Sequence, residues 1–338
     1  MKRTVLPALA LSLLLSAASL IFVGWRVGGI DSFLSIRDLD PLHVLLAVAA
    51  LYASFALSAI RLQLICRLLG HTVRHRHALR SHLLGLFGSI VTPGGSGGAP
   101  ALAISLDLQG VERTRAWAAA LATISADVVF HAWATPLALA VLYAVGLYPR
   151  TPLWTVLAVG AVASTGLLAY LLLFKLRLLG PLLRAVLLGP LLRFRRHGLR
   201  FAARFLSANE LVTKAPRSQR ILLQVVTALA WFSMFTVLLF VLSGLGVTMN
   251  PVVAIAGQTV IMVITSVFPT PGGSGFLELA LSWFLVSQGS SGVVTAAIFT
   301  WRLLTFYSIF LIGPLLGGYL IVRLASRMKL EEGSQASR

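Results

Sequence analysis

The stretch Val91-Thr-Pro-Gly-Gly-Ser-Gly-Gly98 interrupts a run of apolar residues, and Pro269-Thr-Pro-Gly-Gly-Ser-Gly-Phe276 interrupts another further along. The apolar halves on either side of each motif are about 13 to 19 residues long, mostly too short to cross a bilayer, which takes about 20. They read as helical hairpins that enter the membrane and return to the same side. Non-helical backbone survives at that depth only where protein buries it or where it lines a wet cavity. The glycines allow the turn and a close approach, and Pro93 and Pro271 end the preceding half-helices. The following half-helices, expected to start near Ser96 and Ser274, aim free N–H groups and positive dipole ends at one central point. An anionic head group is welcome at such a point. The plainer alternative makes both motifs tight packing turns, as small residues often are in membranes.

The rest of the chain supports a membrane setting. Of 338 residues, 58% are hydrophobic and 11% charged, far from the rough quarter charged of soluble proteins. Long uncharged runs cover Thr4 to Trp25, Pro41 to Ile60, Thr151 to Phe174 and Ile221 to Leu277. The first run is too long for the apolar region of a cleaved signal peptide, about 7 to 15 residues, so a retained span is expected over cleavage near Ala17-Ala18-Ser19. Cys66 is the only cysteine, which rules out an intramolecular disulfide and a cysteine-rich metal site. Neither glycine motif continues as a nucleotide-binding G-K-[ST] loop, and no cofactor is expected. His71, His75, His77 and His82 lie among Arg67, Arg74, Arg76 and Arg80 with no carboxylate, a poor metal site that reads as a solvated loop at the lipid surface.

The fold expected is an all-α polytopic membrane protein with about six transmembrane helices and two re-entrant helical hairpins, one membrane domain over 1–338. The first repeat, 1–148, holds spans 5–25 and 42–65, hairpin 78–110 and span 115–146. The second, 149–323, holds span 152–174, a basic loop 175–220, span 221–244, hairpin 250–288 and span 292–322. A tail follows at 324–338. A net charge of +18 would suggest nucleic acid in a soluble protein. Here the basic residues between spans fall almost wholly on the side of both termini and the basic loop, opposite Arg26, Arg37 and Arg150, which makes that side cytoplasmic. The first hairpin then enters from the cytoplasm and the second from outside. Such inverted repeats place transporter sites near the midplane. Matching Thr-Pro-Gly-Gly-Ser-Gly at 92–97 and 270–275, and Gln109-Gly110 against Gln288-Gly289, support duplication.

Asp127, Arg302 and Glu278 stand out as ionisable residues inside the predicted membrane elements. Asp127 lies about 12 residues into its span, roughly 18 Å deep at 1.5 Å per residue, and Arg302 about 10 residues into the corresponding one. Glu278 follows Gly275 by three residues in the first turn of its half-helix. Charges at such depth face the protein interior and are functional candidates. Glu278 also suits a helix N-terminus, and Asp127 with Arg302 also suits a structural ion pair locking the halves together. The functional reading makes Arg302 an anchor for phosphate, with the carboxylates as its partners or proton carriers. The candidate substrate-binding set is Gly94, Gly95, Ser96, Gly97, Asp127, Gly272, Gly273, Ser274, Gly275, Glu278 and Arg302. The loop 175–220 carries eleven Lys or Arg against Glu210, interleaved with leucine and phenylalanine. It is expected to lie on the anionic inner leaflet rather than bind nucleic acid.

Pro269-Thr-Pro-Gly-Gly-Ser-Gly-Phe-Leu-Glu278, Trp301-Arg-Leu-Leu-Thr-Phe-Tyr307 and Gly313 resemble the signature of the flippase-like family. That family includes the transmembrane region of lysylphosphatidylglycerol synthases and stand-alone membrane proteins, some linked to hopanoid or glycolipid pathways. The resemblance implies lipid translocation or handling between leaflets. In family members the first motif continues as G-G-E-P-x-R and the next helix carries Glu-Arg before an Asp. Here Ala99 and Leu102, then Thr123 and Ile124, stand in those places, while Gly97, Gly98, Pro100 and Asp127 match. These losses point to a head group smaller or less charged than lysyl-phosphatidylglycerol. The residues after Arg323 carry no synthase domain, so aminoacyl transfer is not expected of this chain.

The function expected is therefore a lipid flippase-like transporter, not an enzyme, in the bacterial cytoplasmic membrane with both termini cytoplasmic. Its expected partners are membrane lipids, a lipid-linked substrate and lipid-biosynthesis enzymes. One alternative is a scaffold for envelope biosynthesis that moves nothing. Another is an intramembrane serine hydrolase, since G-x-S-G has a protease-like form and His131 is the only base in reach of a motif serine.

Overall fold

The computed structural model describes residues 36–147, 214–266, 270–286 and 291–318, with a few isolated residues besides. The expected spans 5–25 and 152–174, nearly all of the basic loop and the tail lie outside the described residues. Among those described, every regular element is helical: α1 Pro41–Leu68, α2 His75–Val91, α3 Gly98–Leu108, α4 Arg113–Ala144, α5 Arg217–Gly244, α6 Pro251–Ser266, α7 Phe276–Leu285 and α8 Ser291–Arg302. A π-turn, Leu303–Tyr307, carries α8 onward to Gly318. Four of these helices are long and apolar enough to cross a membrane: α1, α4, α5 and the continuous 292–318. Together they make an all-α membrane protein. Its α1 starts where the sequence says it should, with Asp40 accepting the Leu42 N–H at 3.1 Å and Pro41 in the first turn.

Helices α1 and α5 form the central antiparallel pair. Asp40 N–H donates to the Gly244 carbonyl at 3.0 Å, and a Cβ on Gly244 would meet His43 at 2.8 Å, so the start of α1 lies against the end of α5. At the opposite end Leu69, Ala78, Val111, Ala116 and Leu223 share one buried cluster. The pair α2–α3 opens at that second end. The pair α6–α7 begins seven residues beyond Gly244, at the first end. Both pairs turn back between the ends, and their turns, Pro93–Gly95 and Pro271–Gly273, touch. The expected loop at His75 to His82 is corrected by this arrangement: these residues open α2, and the ring of His82 packs on Phe55 of α1.

The two turns share one backbone. Gly94 sits at φ 59°, ψ 21° and Gly272 at φ 59°, ψ 20°, while Gly95 and Gly273 have φ of 69° and 68°. This left-handed geometry is costly for any residue with a Cβ. The copies diverge afterwards, at Gly97 with φ −82° and Gly275 with φ 90°. Glycine also sets the contact between α2 and α3: a Cβ on Gly88 would lie 2.5 Å from the Gly97 carbonyl oxygen and 2.8 Å from Ala101. Gly88→Ala must push two backbones apart, so it should cost about 1–3 kcal/mol. Gly317, with nothing within 4 Å of its would-be Cβ, serves as the control. Thermal unfolding of purified protein should show a clear fall in Tm for Gly88→Ala and none for Gly317→Ala; equal Tm values would contradict this packing.

Candidate functional site

The two turns, α4, α5, α6 and α8 enclose a cavity of about 650 Å³. Six of the sequence candidates line it: Gly94, Gly95, Asp127, Gly272, Gly273 and Arg302. Glu278 stands behind the wall, fully buried, and holds Arg302. Ser96, Gly97, Ser274 and Gly275 do not line the cavity. Ser96 is exposed and Ser274 is buried, so the repeated serine occupies different surroundings in its two copies.

The charges pair within their own halves of the chain. Asp127 Oδ1 accepts from Arg61 of α1 and, at 2.8 Å, from the Trp231 indole N–H of α5. Glu278 Oε1 lies 2.8 Å from Arg302 Nε, and Arg302 Nη1 donates to the Gly272 carbonyl at 3.3 Å. Arg302 Nε and Glu278 Oε1 make no hydrogen bond despite their closeness, so the contact is a Coulombic pair. The guanidinium also lies over Phe306 at 5.0 Å and Trp301 at 5.5 Å. The expected alternative of an Asp127–Arg302 lock between halves is thus corrected: each residue already has a partner. Both members of the second pair are almost wholly buried, at 3% and 0% exposure. Removing one member of such a pair costs about 3–5 kcal/mol.

At each helix start one amide is already engaged by a side chain of its own turn. Glu278 Oε2 accepts the Gly275 N–H at 2.8 Å at the start of α7. In the other turn Thr92 Oγ1 accepts the Gly97 N–H at 2.7 Å and donates to the Gly88 carbonyl at 2.7 Å. Each turn therefore satisfies one of its amides from its own side chains. Glu278 does two jobs at once, cap and counter-ion.

Several groups in the wall remain without partners. Arg302 Nη2, Trp301 Nε1, Thr270 Oγ1 and His131 Nε2 are buried and make no hydrogen bond. His131 Nδ1 bonds the Asp127 carbonyl at 2.9 Å, which in the neutral ring leaves Nε2 as an acceptor. Ser274 Oγ likewise has no partner. The hydrolase arrangement is therefore not formed, because neither motif serine is bonded to His131. The π-turn after Arg302 is an insertion of the kind often found at functional sites, and it sets Thr305 and Phe306 in the wall.

Sequence reasoning missed Arg61. It lies four residues before the expected end of its span, a position usually taken for an interfacial charge, and it is 4% exposed. The wall residues Trp231, Trp301 and Thr270 had no individual signal. At the positions where family members carry charge, Leu102 is in the core, Thr123 donates to its own helix at Ala119, and Ile124 lines the cavity.

Comparison with known proteins fits this picture. The family model described as "Lysylphosphatidylglycerol synthase TM region" matches residues 9–313. A UPF0104 membrane protein of Archaeoglobus fulgidus is 24% identical over 293 residues, covering 83% of this chain and 87% of the relative. With the match spanning nearly its whole length, the chain belongs to the lysylphosphatidylglycerol synthase transmembrane-region family.

Proposed function

We propose that the protein is a lipid transporter of the flippase type that passes the polar end of a lipid, or a lipid-linked substrate, between leaflets through the cavity at the two turns. The observation that carries this reading is the placement of that cavity. It lies where two short helix pairs, opening at opposite ends of the α1–α5 pair, bring their turns together. In a bilayer these pairs are re-entrant hairpins of an inverted repeat, 1–148 and 149–323, and rocking one repeat against the other exposes the site alternately. Arg67, Arg74, Arg113 and Arg217 lie near the end where α2–α3 opens, which makes that end cytoplasmic in the cytoplasmic membrane. Catalysis is not part of this reading.

The scaffold reading draws support from the completeness of the two ion pairs, which suits a lock. Reconstitution separates the two. With fluorescent lipid analogues in liposomes, wild-type protein should speed leaflet exchange, and Arg302→Ala should abolish it while an unchanged elution profile reports a folded protein. Folded wild type that exchanges no lipid across a broad panel would favour the scaffold.

The first pair gives an independent check. Asp127→Asn leaves Arg61 buried opposite a neutral amide and should lower Tm by a few degrees, in line with about 1–3 kcal/mol for weakening a hydrogen bond to a charged group. Replacing both with apolar residues, Arg61→Met with Asp127→Leu, should recover much of that loss. A double variant less stable than Asp127→Asn would contradict the pairing.

A further inference from the structure

We propose that the head group this cavity takes is uncharged and rich in hydroxyls, a glycosyl or polyol group, rather than a phosphodiester. The inference rests on the transporter reading for the place of the ligand, and on the cavity wall for its chemistry.

Charge disfavours a phosphodiester in this cavity. The two ionisable pairs at the cavity, Arg61–Asp127 and Arg302–Glu278, each sum to zero. A phosphodiester would bring a negative charge into a largely apolar chamber whose cations are already matched. An ionised group without its own partner is strongly disfavoured there. A zwitterionic head group would need a spare anion and a spare cation, and both are engaged.

The kind of hydrogen bond left open points the same way. Arg302 Nη2 and Trp301 Nε1 are donors, His131 Nε2 is an acceptor in the neutral ring, and Thr270 Oγ1 is either. Trp301 and Arg302 are 2% and 3% exposed and His131 is 9% exposed, so bulk water does not readily satisfy these atoms. Phosphate oxygens only accept and would leave His131 Nε2 unmet. A hydroxyl both donates and accepts, so a polyol matches a wall that carries donors and an acceptor together. Buried polar atoms left unpaired reject a ligand lacking the matching group.

Shape fits as well. About 650 Å³ is ample for a sugar ring with room for a linker. Trp231 and Phe306 give apolar walls for its C–H surface.

The test is binding to the full-length protein in detergent, followed through the fluorescence of cavity tryptophans and by native mass spectrometry. The probes are short-chain monoglucosyl diacylglycerol, phosphatidylglycerol and phosphatidylcholine. The glucosyl lipid should bind saturably and at least about tenfold more tightly than either phospholipid, the scale on which unmatched buried hydrogen-bonding groups discriminate. Trp301→Phe, which keeps a ring and removes the N–H, and Thr270→Val should each weaken glucosyl binding about five- to tenfold, in line with one lost hydrogen bond. They should leave phospholipid binding unchanged. Phosphatidylglycerol binding as tight as the glucosyl lipid, or no saturable glucosyl binding by folded protein, would overturn the inference. Glucosyl binding without leaflet exchange would sink the transporter reading alone, whereas exchange of phosphatidylglycerol without glucosyl binding would sink this inference alone.

Discussion

A helix that stops partway through a membrane leaves backbone amides and carbonyls that hydrocarbon cannot satisfy, and the proposed re-entrant arrangement has to meet this constraint. Four short helices end at the glycine turns, α2 and α3 at one and α6 and α7 at the other. The solution is to set the turns against each other and supply partners locally. Thr92 serves one turn from within, bridging the Gly88 carbonyl and the Gly97 amide. Glu278 and Arg302 serve the other, bonding the Gly275 amide and the Gly272 carbonyl while pairing with each other. The chemistry differs between the copies even though the glycine dihedrals coincide.

That difference gives the cavity its character. One turn is held by a neutral hydroxyl, the other by an ion pair, and Asp127 across the chamber is neutralised by Arg61. Electrostatic attraction is spent inside the protein, where it fixes positions of the wall. The wall also holds a small set of buried hydrogen-bonding atoms without partners, set in aromatic and apolar surroundings. Such a chamber selects by the pattern of donors and acceptors more than by net charge.

Much of this was legible in the sequence because the membrane makes length and charge informative. Helices α1, α4 and α5 match the expected spans to within a few residues, and the broken apolar runs resolve into helix pairs at Thr92 and Thr270. Asp127 and Arg302 were recognisable because ionisable groups are rare at depth. Their partners were not, since pairing depends on which helix faces which. Arg61 sits beside Asp127 only because α1 packs on α4, a contact that no spacing along the chain encodes. The roles of the serines were overread for a related reason. A repeated motif fixes the same turn twice, but the surroundings of the two copies differ, with Phe306 of the π-turn set against Gly272. Ser274 is buried as a result of its own surroundings, and Ser96 faces outward.

The proposed meeting of the two glycine turns inside the membrane is open to test by cross-linking. Cysteines at Pro93 and Pro271, in a Cys66→Ala background, would be treated in native membranes with a short bis-maleimide. The turns touch, with Cα atoms within 8 Å, so the account predicts efficient intramolecular linkage, seen as a mobility shift that survives dilution. Hairpins that cross the whole bilayer from opposite sides would hold their turns about 30 Å apart. Full labelling of both cysteines with no cross-link would contradict the account.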